Sequence, residues 1–244
     1  MTTLYPRQRV ESVLQPLALT SAYRIILKPH LSSPLAAYPS KSRFCDGRTY
    51  AVLYGASDFA TAFVEVVVRD RLMQSDRRIV PFGDIAARGW VEFALAGDEP
   101  LRMVDLRESG CLVLGAPTDA AHARNQTAGR ALGRALYEQH SDIDGICYRS
   151  RLTGGDCLAI FDRALKHLKP MDTGQLEHLA CTPTTWRLLR RKSKQPECAY
   201  RRNYDAPRWC VPLILRNPYR ATGSGWEDQS SNERHTSMRT GSGV

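Results

Sequence analysis

The sequence lacks most of the features by which a chain announces its chemistry. No run of apolar residues approaches the roughly 20 needed to cross a bilayer, and the start, MTTLYPRQRVESVLQPLALTSAY, has no basic segment followed by an apolar one, so neither a membrane span nor a secretory signal is expected. There is no G-x-G-x-x-G, no P-loop and no G-x-S-x-G elbow, which removes the familiar dinucleotide, phosphate-loop and serine-hydrolase sites. None of the seven cysteines (Cys45, Cys111, Cys147, Cys157, Cys181, Cys198, Cys210) forms a C-x-x-C pair, and the six histidines do not pair at metal-binding intervals, so no metal site is expected. Widely spaced thiols in odd number, with no signal peptide, suit the reduced state of a cytoplasm. Cys45 reads as a small packed residue before it reads as a reactive thiol. No internal repeat is present.

What is there suits one globular core with extensions: 244 residues, 43% hydrophobic and 24% charged. The formal charge of +9 allows attraction to nucleic acid, nucleotides or an acidic protein, without choosing among them. The stretch from Ser42 to Asp70 is the most informative. Tyr50 to Tyr54 (YAVLY), bounded by Gly47 and Gly55, predicts a strand. Ser57 and Asp58 suit a helix N-terminus, and Ala60, Phe63, Val64, Val67 and Val68 recur at helical spacing behind them. Glu65 lies beside that apolar face rather than opposite it, so it must lean to water or serve a cleft.

Around this centre, residues 1 to 20 read as a leader with a turn of helix. Tyr23 to Leu27 predicts a strand in which Arg24 alternates with apolar neighbours. Proline and serine make residues 28 to 42 a loop. Short strands are expected at Ile79 to Phe82, broken at Pro81, at Trp90 to Leu95 and at Leu101 to Leu106. One helix is expected over Thr118 to His140. Gly145 to Ser150 and Cys157 to Phe161 predict a hairpin turned by Gly154 and Gly155. The pattern is that of an α+β core, residues 21 to 169, with largely antiparallel strands and flanking helices. Residues 170 to 244 form a basic extension in which RLLRRKSK (Arg187 to Lys194) reads as a solvated face before it reads as a nucleic-acid contact. Trp209 to Leu215 is expected to pack as a strand or turn, and the last 24 or so residues are expected to be disordered.

Taken singly, Arg24, Arg43, Tyr54, Glu65 and Ser150 have ordinary readings as strand arginine, loop arginine, core tyrosine, flank glutamate and loop serine. Together they carry a resemblance. The pieces YRI around Arg24, SRF around Arg43, LYGAS around Tyr54, ATAFVE ending at Glu65, and DGICYRSR around Ser150 with CLAIFDR after it resemble the RES-domain family of toxin–antitoxin toxins over about residues 20 to 165. That resemblance implies an ADP-ribosyltransferase-like fold in which two small, mostly antiparallel sheets form an NAD+ cleft. It implies NAD+ as substrate, with Arg24 and Arg43 holding the dinucleotide, Tyr54 against the nicotinamide side, Glu65 acting on the ribose and Ser150 positioning the ligand. It further implies a cytoplasmic toxin that depletes NAD+ by hydrolysis or phosphorolysis, restrained by an antitoxin, as a homodimer or in a complex with that antitoxin. Two alternatives stay open: a mono-ADP-ribosyltransferase acting on a protein or nucleic acid, and a non-catalytic basic binding module. The residue chemistry agrees with cleavage of a glycosidic bond, since a carboxylate stabilises an oxocarbenium-like ribose and arginine forks bind phosphate.

Overall fold

In the computed structural model the described residues are 4–69, 79–180 and 210–212. The expectations for the basic run Arg187 to Lys194, for most of Trp209 to Leu215 and for the disordered end lie outside them.

The chain opens with helix α1 (Arg7–Glu11) and strand β1 (Leu14–Leu17), so the segment expected as a leader is tied to the core. Tyr5, Val10 and Val13 are buried, and β1 pairs antiparallel with β6 (Leu101–Asp105). Strand β2 (Ala22–Leu27) and strand β3 (Val52–Ala56) follow, the latter two residues further along than its β-formers suggest. Helix α2 (Phe59–Phe63) passes directly into a π-turn over Val64–Val68. The Asp58 carboxylate caps it by accepting from the Thr61 amide at 2.9 Å. Strand β4 (Ile79–Pro81) ends at the proline, and helix α3 (Phe82–Ala86) and strand β5 (Arg88–Leu95) succeed it.

After β6 come the short helices α4 (Gly110–Leu114) and α5 (Asp119–His122), then α6 (Thr127–Gln139). The single helix expected over Thr118 to His140 is therefore two. Ala123 is extended at φ −68°, ψ 152°, and the Asn125 side chain accepts from the Thr127 amide at 2.9 Å, a local turn that competes with helix. Strand β7 (Gly145–Arg149) and strand β8 (Asp156–Phe161) form the expected hairpin, and strand β9 (Leu168–Gln175), helix α7 (Leu176–Ala180) and strand β10 (Cys210–Pro212) complete the described chain.

Eight strands run in the order β1-β6-β7-β8-β3-β2-β5-β9, and β10 pairs with β4 apart from them. Among the strands of the described residues only β6 and β7 pair in parallel. The join between β3 and β2 is a single bridge, Tyr23 opposite Ala56. By contrast β3 pairs with β8 over five residues and β2 with β5 over six. The eight strands thus form one sheet, which the single bridge divides into a five-strand and a three-strand part where two small sheets were expected from the sequence. Because side chains alternate along a strand, the register fixes two faces. Leu53, Met103, Cys147, Leu158 and Ile160 share the first face and pack with Leu19, Phe93, Leu95 and Leu101 into the main core. Tyr54, Ala56, Tyr148, Cys157 and Ala159 share the second.

Candidate functional site

The second face is where the residues singled out in the sequence gather. Ser150 directly follows β7 and is buried, at 3% exposure. Its hydroxyl donates to Glu65 Oε1 at 2.5 Å and accepts from the amides of Leu152 and Thr153 at 3.2 and 3.1 Å. A hydroxyl carries one proton, so the two accepted bonds leave that proton for the carboxylate. Glu65 sits in the π-turn, where the widened helical ring turns its side chain toward the β7–β8 turn; such bulges recur at functional sites. Val64, Val67 and Val68 of the same turn are buried, which fixes the backbone beneath it.

Tyr54 lies on β3 facing the loop before it. The Phe44 amide donates to its hydroxyl at 2.8 Å, and Ser42 Oγ lies 3.0 Å away. Since Ser42 Oγ itself donates to the Ser40 carbonyl at 3.2 Å, the phenol proton points to Ser42. Burial pushes Tyr54 up to about 12, against the smaller opposing pull of these two bonds. Arg43 is thereby held at its neighbours on both sides, and its guanidinium donates to the Ala123 carbonyl at 2.8 Å. Phe44 is fully buried against Tyr148, ring centroids 5.1 Å apart and edge-on. Cys45 is buried with its thiol donating to the Tyr50 carbonyl at 3.1 Å, the packed reading of the two expected.

Arg24 is placed differently. Tyr23 is opposite Ala56, so Arg24 stands across the pleat from Tyr54. Its guanidinium donates to the carbonyls of Pro34 and Ala36 at 3.0 and 3.3 Å, while its Nε is buried without a hydrogen-bond partner among the described residues. Burial lowers its pKa to about 10, which leaves it cationic at neutral pH. The structure therefore joins Glu65 to Ser150, joins Tyr54 to Ser42 and Phe44 on either side of Arg43, and ties Arg24 to Pro34 and Ala36, earlier in the same loop.

Tyr148 was not singled out in the sequence. It lies in β7 two residues before Ser150, whose amide continues the hairpin by donating to the Gly155 carbonyl, and that period-2 relation puts both on one face. Burial holds its phenol well above the ordinary value; Cys157, Tyr54 and Glu65 push the same way and Arg43 opposes them, so the four lie within electrostatic reach of it. The Cys157 thiol is pushed up to about 12 by burial and then by Glu65. Phenol and thiol alike are neutral at pH 7. No set of three or more His, Cys, Asp or Glu among the described residues is arranged to hold a metal ion, and no helix among them is long and apolar enough to cross a membrane.

One consequence is an alkaline limit. A phenol whose folded pKa is raised from 10.0 to about 12 contributes stability that is intact below pH 10 and lost as pH rises to about 12. The urea midpoint should begin to fall above about pH 9, where the buried Cys157 and Cys147 thiols start to lose their contribution, and between pH 10 and about 12 Tyr54→Phe should fall less steeply than wild type. Equal slopes in the two proteins would contradict the placement of the Tyr54 hydroxyl.

Comparison with known proteins bears on the whole arrangement. A family model described as "RES domain" matches residues 21–181. A "Probable toxin y4kH" of Sinorhizobium fredii (strain NBRC 101917 / NGR234) is 43% identical over 79 residues, which is 32% of this chain and 62% of that protein. The chain thus spans less than two thirds of the length of that curated relative. The crystal structure of the M. tuberculosis MbcT–MbcA toxin–antitoxin complex matches over 75% of this chain and 95% of the other, with a TM-score of 0.57 at 16% identity. That likeness is one of fold, and it agrees with the ADP-ribosyltransferase-like α+β architecture expected from the sequence.

Proposed function

This chain belongs to the RES domain family, and from that premise we propose that it is the toxin of a toxin–antitoxin pair and depletes NAD+ by breaking the bond between nicotinamide and ribose. The observation that carries the reading is the Glu65 carboxylate held at 2.5 Å by the buried Ser150 hydroxyl, beside Tyr54, Tyr148 and the anchored Arg43 loop.

In this reading the C1′–N bond of the nicotinamide ribose lengthens, and its electron pair moves onto the positively charged ring nitrogen, which leaves neutral. No general acid is needed for such a leaving group. The ribose becomes oxocarbenium-like, and Glu65, set against a ribose hydroxyl, stabilises that charge more than it stabilises the ground state. Ser150 holds the carboxylate in one rotamer, so its orientation is set before substrate arrives. Arg43 offers a fork to the pyrophosphate, with the Arg24 cation behind the same loop and its Nε proton still unpaired. Tyr54 and Tyr148 supply ring surface and, being neutral, do not compete for the developing cation. Water then attacks C1′ and releases a proton, giving ADP-ribose; inorganic phosphate in its place gives the 1-phosphate.

The partner in this reading is an antitoxin. The +9 charge favours an acidic segment over a basic one. The test is the NAD+ concentration over time in cells induced to make the protein, with small products identified by mass. A fast fall with free ADP-ribose or its phosphate supports the toxin reading and names the acceptor. NAD+ loss with ADP-ribose fixed on a macromolecule would replace it with a transferase. No NAD+ loss from soluble protein would overturn it.

A further inference from the structure

Glu65 and Ser150 lie on segments that a second contact also joins. Thr61 is one helical turn before Glu65 on the same face, and it is 1% exposed although it carries a hydroxyl. A buried hydroxyl is tolerated when its bonds are made, and those of Thr61 are. Its Oγ1 lies 3.0 Å from Asp58 Oδ2 and 3.1 Å from Thr153 Oγ1. A carboxylate only accepts, so the Thr61 proton goes to Asp58 and the proton between the two threonines must come from Thr153. Thr153 Oγ1 in turn accepts from the Gly155 amide at 3.1 Å. The direction of the whole chain is therefore determined: Gly155 N–H to Thr153 O–H to Thr61 O–H to the Asp58 carboxylate that caps α2.

The Thr153 amide donates to Ser150 Oγ, the hydroxyl that holds Glu65. The β7–β8 turn is consequently fastened to the Glu65 helix at two points, Ser150 to Glu65 and Thr153 to Thr61. The closeness of the second is shown by Gly155, where a β-carbon would overlap Thr61 Oγ1. Within the turn the Ser150 amide donates to the Gly155 carbonyl at 2.8 Å and the Gly154 amide to the Ser150 carbonyl at 2.9 Å, so Ser150 and the tip are coupled, and the Thr61 contact fixes where that tip sits against the Glu65 helix.

We propose that Thr61 is a positioning residue for Glu65, acting through Thr153 and Ser150 to hold the carboxylate in the orientation that cleavage requires. The proposal rests on the NAD+-cleaving reading above, and its test separates the two. Thr61→Val keeps shape and removes the hydroxyl; Thr61→Ser keeps the hydroxyl. Two measurements on the purified full chain are needed: hydrogen exchange at the amides of Leu152, Thr153 and Gly155, and kcat and KM for NAD+. The Val variant should exchange at least about tenfold faster at these amides and lose about 10- to 100-fold in kcat, with KM within about threefold, as expected of a misplaced catalytic group. The Ser variant should restore both. Unchanged exchange in Thr61→Val overturns the second fastening whatever the activity does. Faster exchange with unchanged kcat overturns the positioning role. A general stability loss would raise exchange throughout the chain and would not be rescued selectively by serine, which also overturns it. If wild type consumes no NAD+, the function proposed above fails, and with it the catalytic part of this inference, while the exchange data still decide whether the fastening exists.

Discussion

Glu65→Gln should lower NAD+ turnover by about 100- to 1,000-fold, the usual cost of removing an electrostatic group aimed at developing charge, and should leave the fold intact. Glutamine has nearly the same volume, and its carbonyl oxygen can still accept the Ser150 proton that Glu65 Oε1 accepts at 2.5 Å. What disappears is the negative charge. An amide dipole at the same place offers an oxocarbenium-like ribose far less than a carboxylate does. The loss should fall on kcat, because the ground state of NAD+ gains little from Glu65, and KM should change by no more than about threefold. The melting temperature should stay within a few degrees, since the π-turn is held by Val64, Val67 and Val68, all buried, rather than by the charge. Purified wild type and variant, followed by nicotinamide release, are enough to check this. A variant that releases nicotinamide at nearly the wild-type rate would remove Glu65 from the chemistry.

Much of this was legible from local pattern. The alternation in WVEFAL and LRMVDL, the β-formers of GICYRS and CLAIF, and the Asp58 cap followed by apolar residues at helical spacing each describe an element that the chain forms. So does the position of Glu65 beside an apolar face, which is where a residue must stand to serve a cleft. What was not legible depends on contacts distant in sequence. The strand β1 looks like leader because its apolar content is small; its place is settled by β6, more than 80 residues later. The helix expected over Thr118 to His140 breaks because Asn125 takes the Thr127 amide, a choice that propensity over the whole window hides. Tyr148 carries a period-2 relation to Ser150 that marks it for the same face, yet nothing local says that Tyr54, Glu65 and Arg43 will come within electrostatic reach of it. Arg24 shows the reverse case: its sequence piece matches the family pattern, while the pleat and the carbonyls of Pro34 and Ala36 set it apart from the Glu65–Ser150 pair.

The loop that carries Arg43 is placed by something that no reading of the loop itself reveals: two glycines four residues apart on α6. A β-carbon at Gly129 would lie 2.5 Å from the Arg43 carbonyl oxygen and 2.7 Å from that of Ala120. At Gly133 it would overlap the Phe44 carbonyl oxygen and lie 2.8 and 2.9 Å from the Phe44 carbonyl carbon and Cα. These are backbone atoms, so no rotamer change relieves them. The same Phe44 carbonyl accepts from the Tyr50 hydroxyl at 2.5 Å, and the Phe44 amide donates to Tyr54, so the segment cannot slide away cheaply. Gly133→Ala brings a helix-propensity gain of about 1 kcal/mol, against overpacking that costs about 1 to 3 kcal/mol or more when the neighbour is fixed. Steric cost should win. The helix must then back off from Phe44, although Leu132 and Leu136 are fully buried beside it. A net cost of about 1 to 2 kcal/mol should lower the melting temperature by about 2 to 8 °C for a domain of this size. NAD+ turnover below the melting temperature should also fall, and here the loss should appear in KM, because the Arg43 fork moves while Glu65 and Ser150 stay. Gly129→Ala should act in the same direction. A Gly133→Ala protein that is as stable as wild type and binds NAD+ equally well would show that the Arg43 loop is not seated on α6.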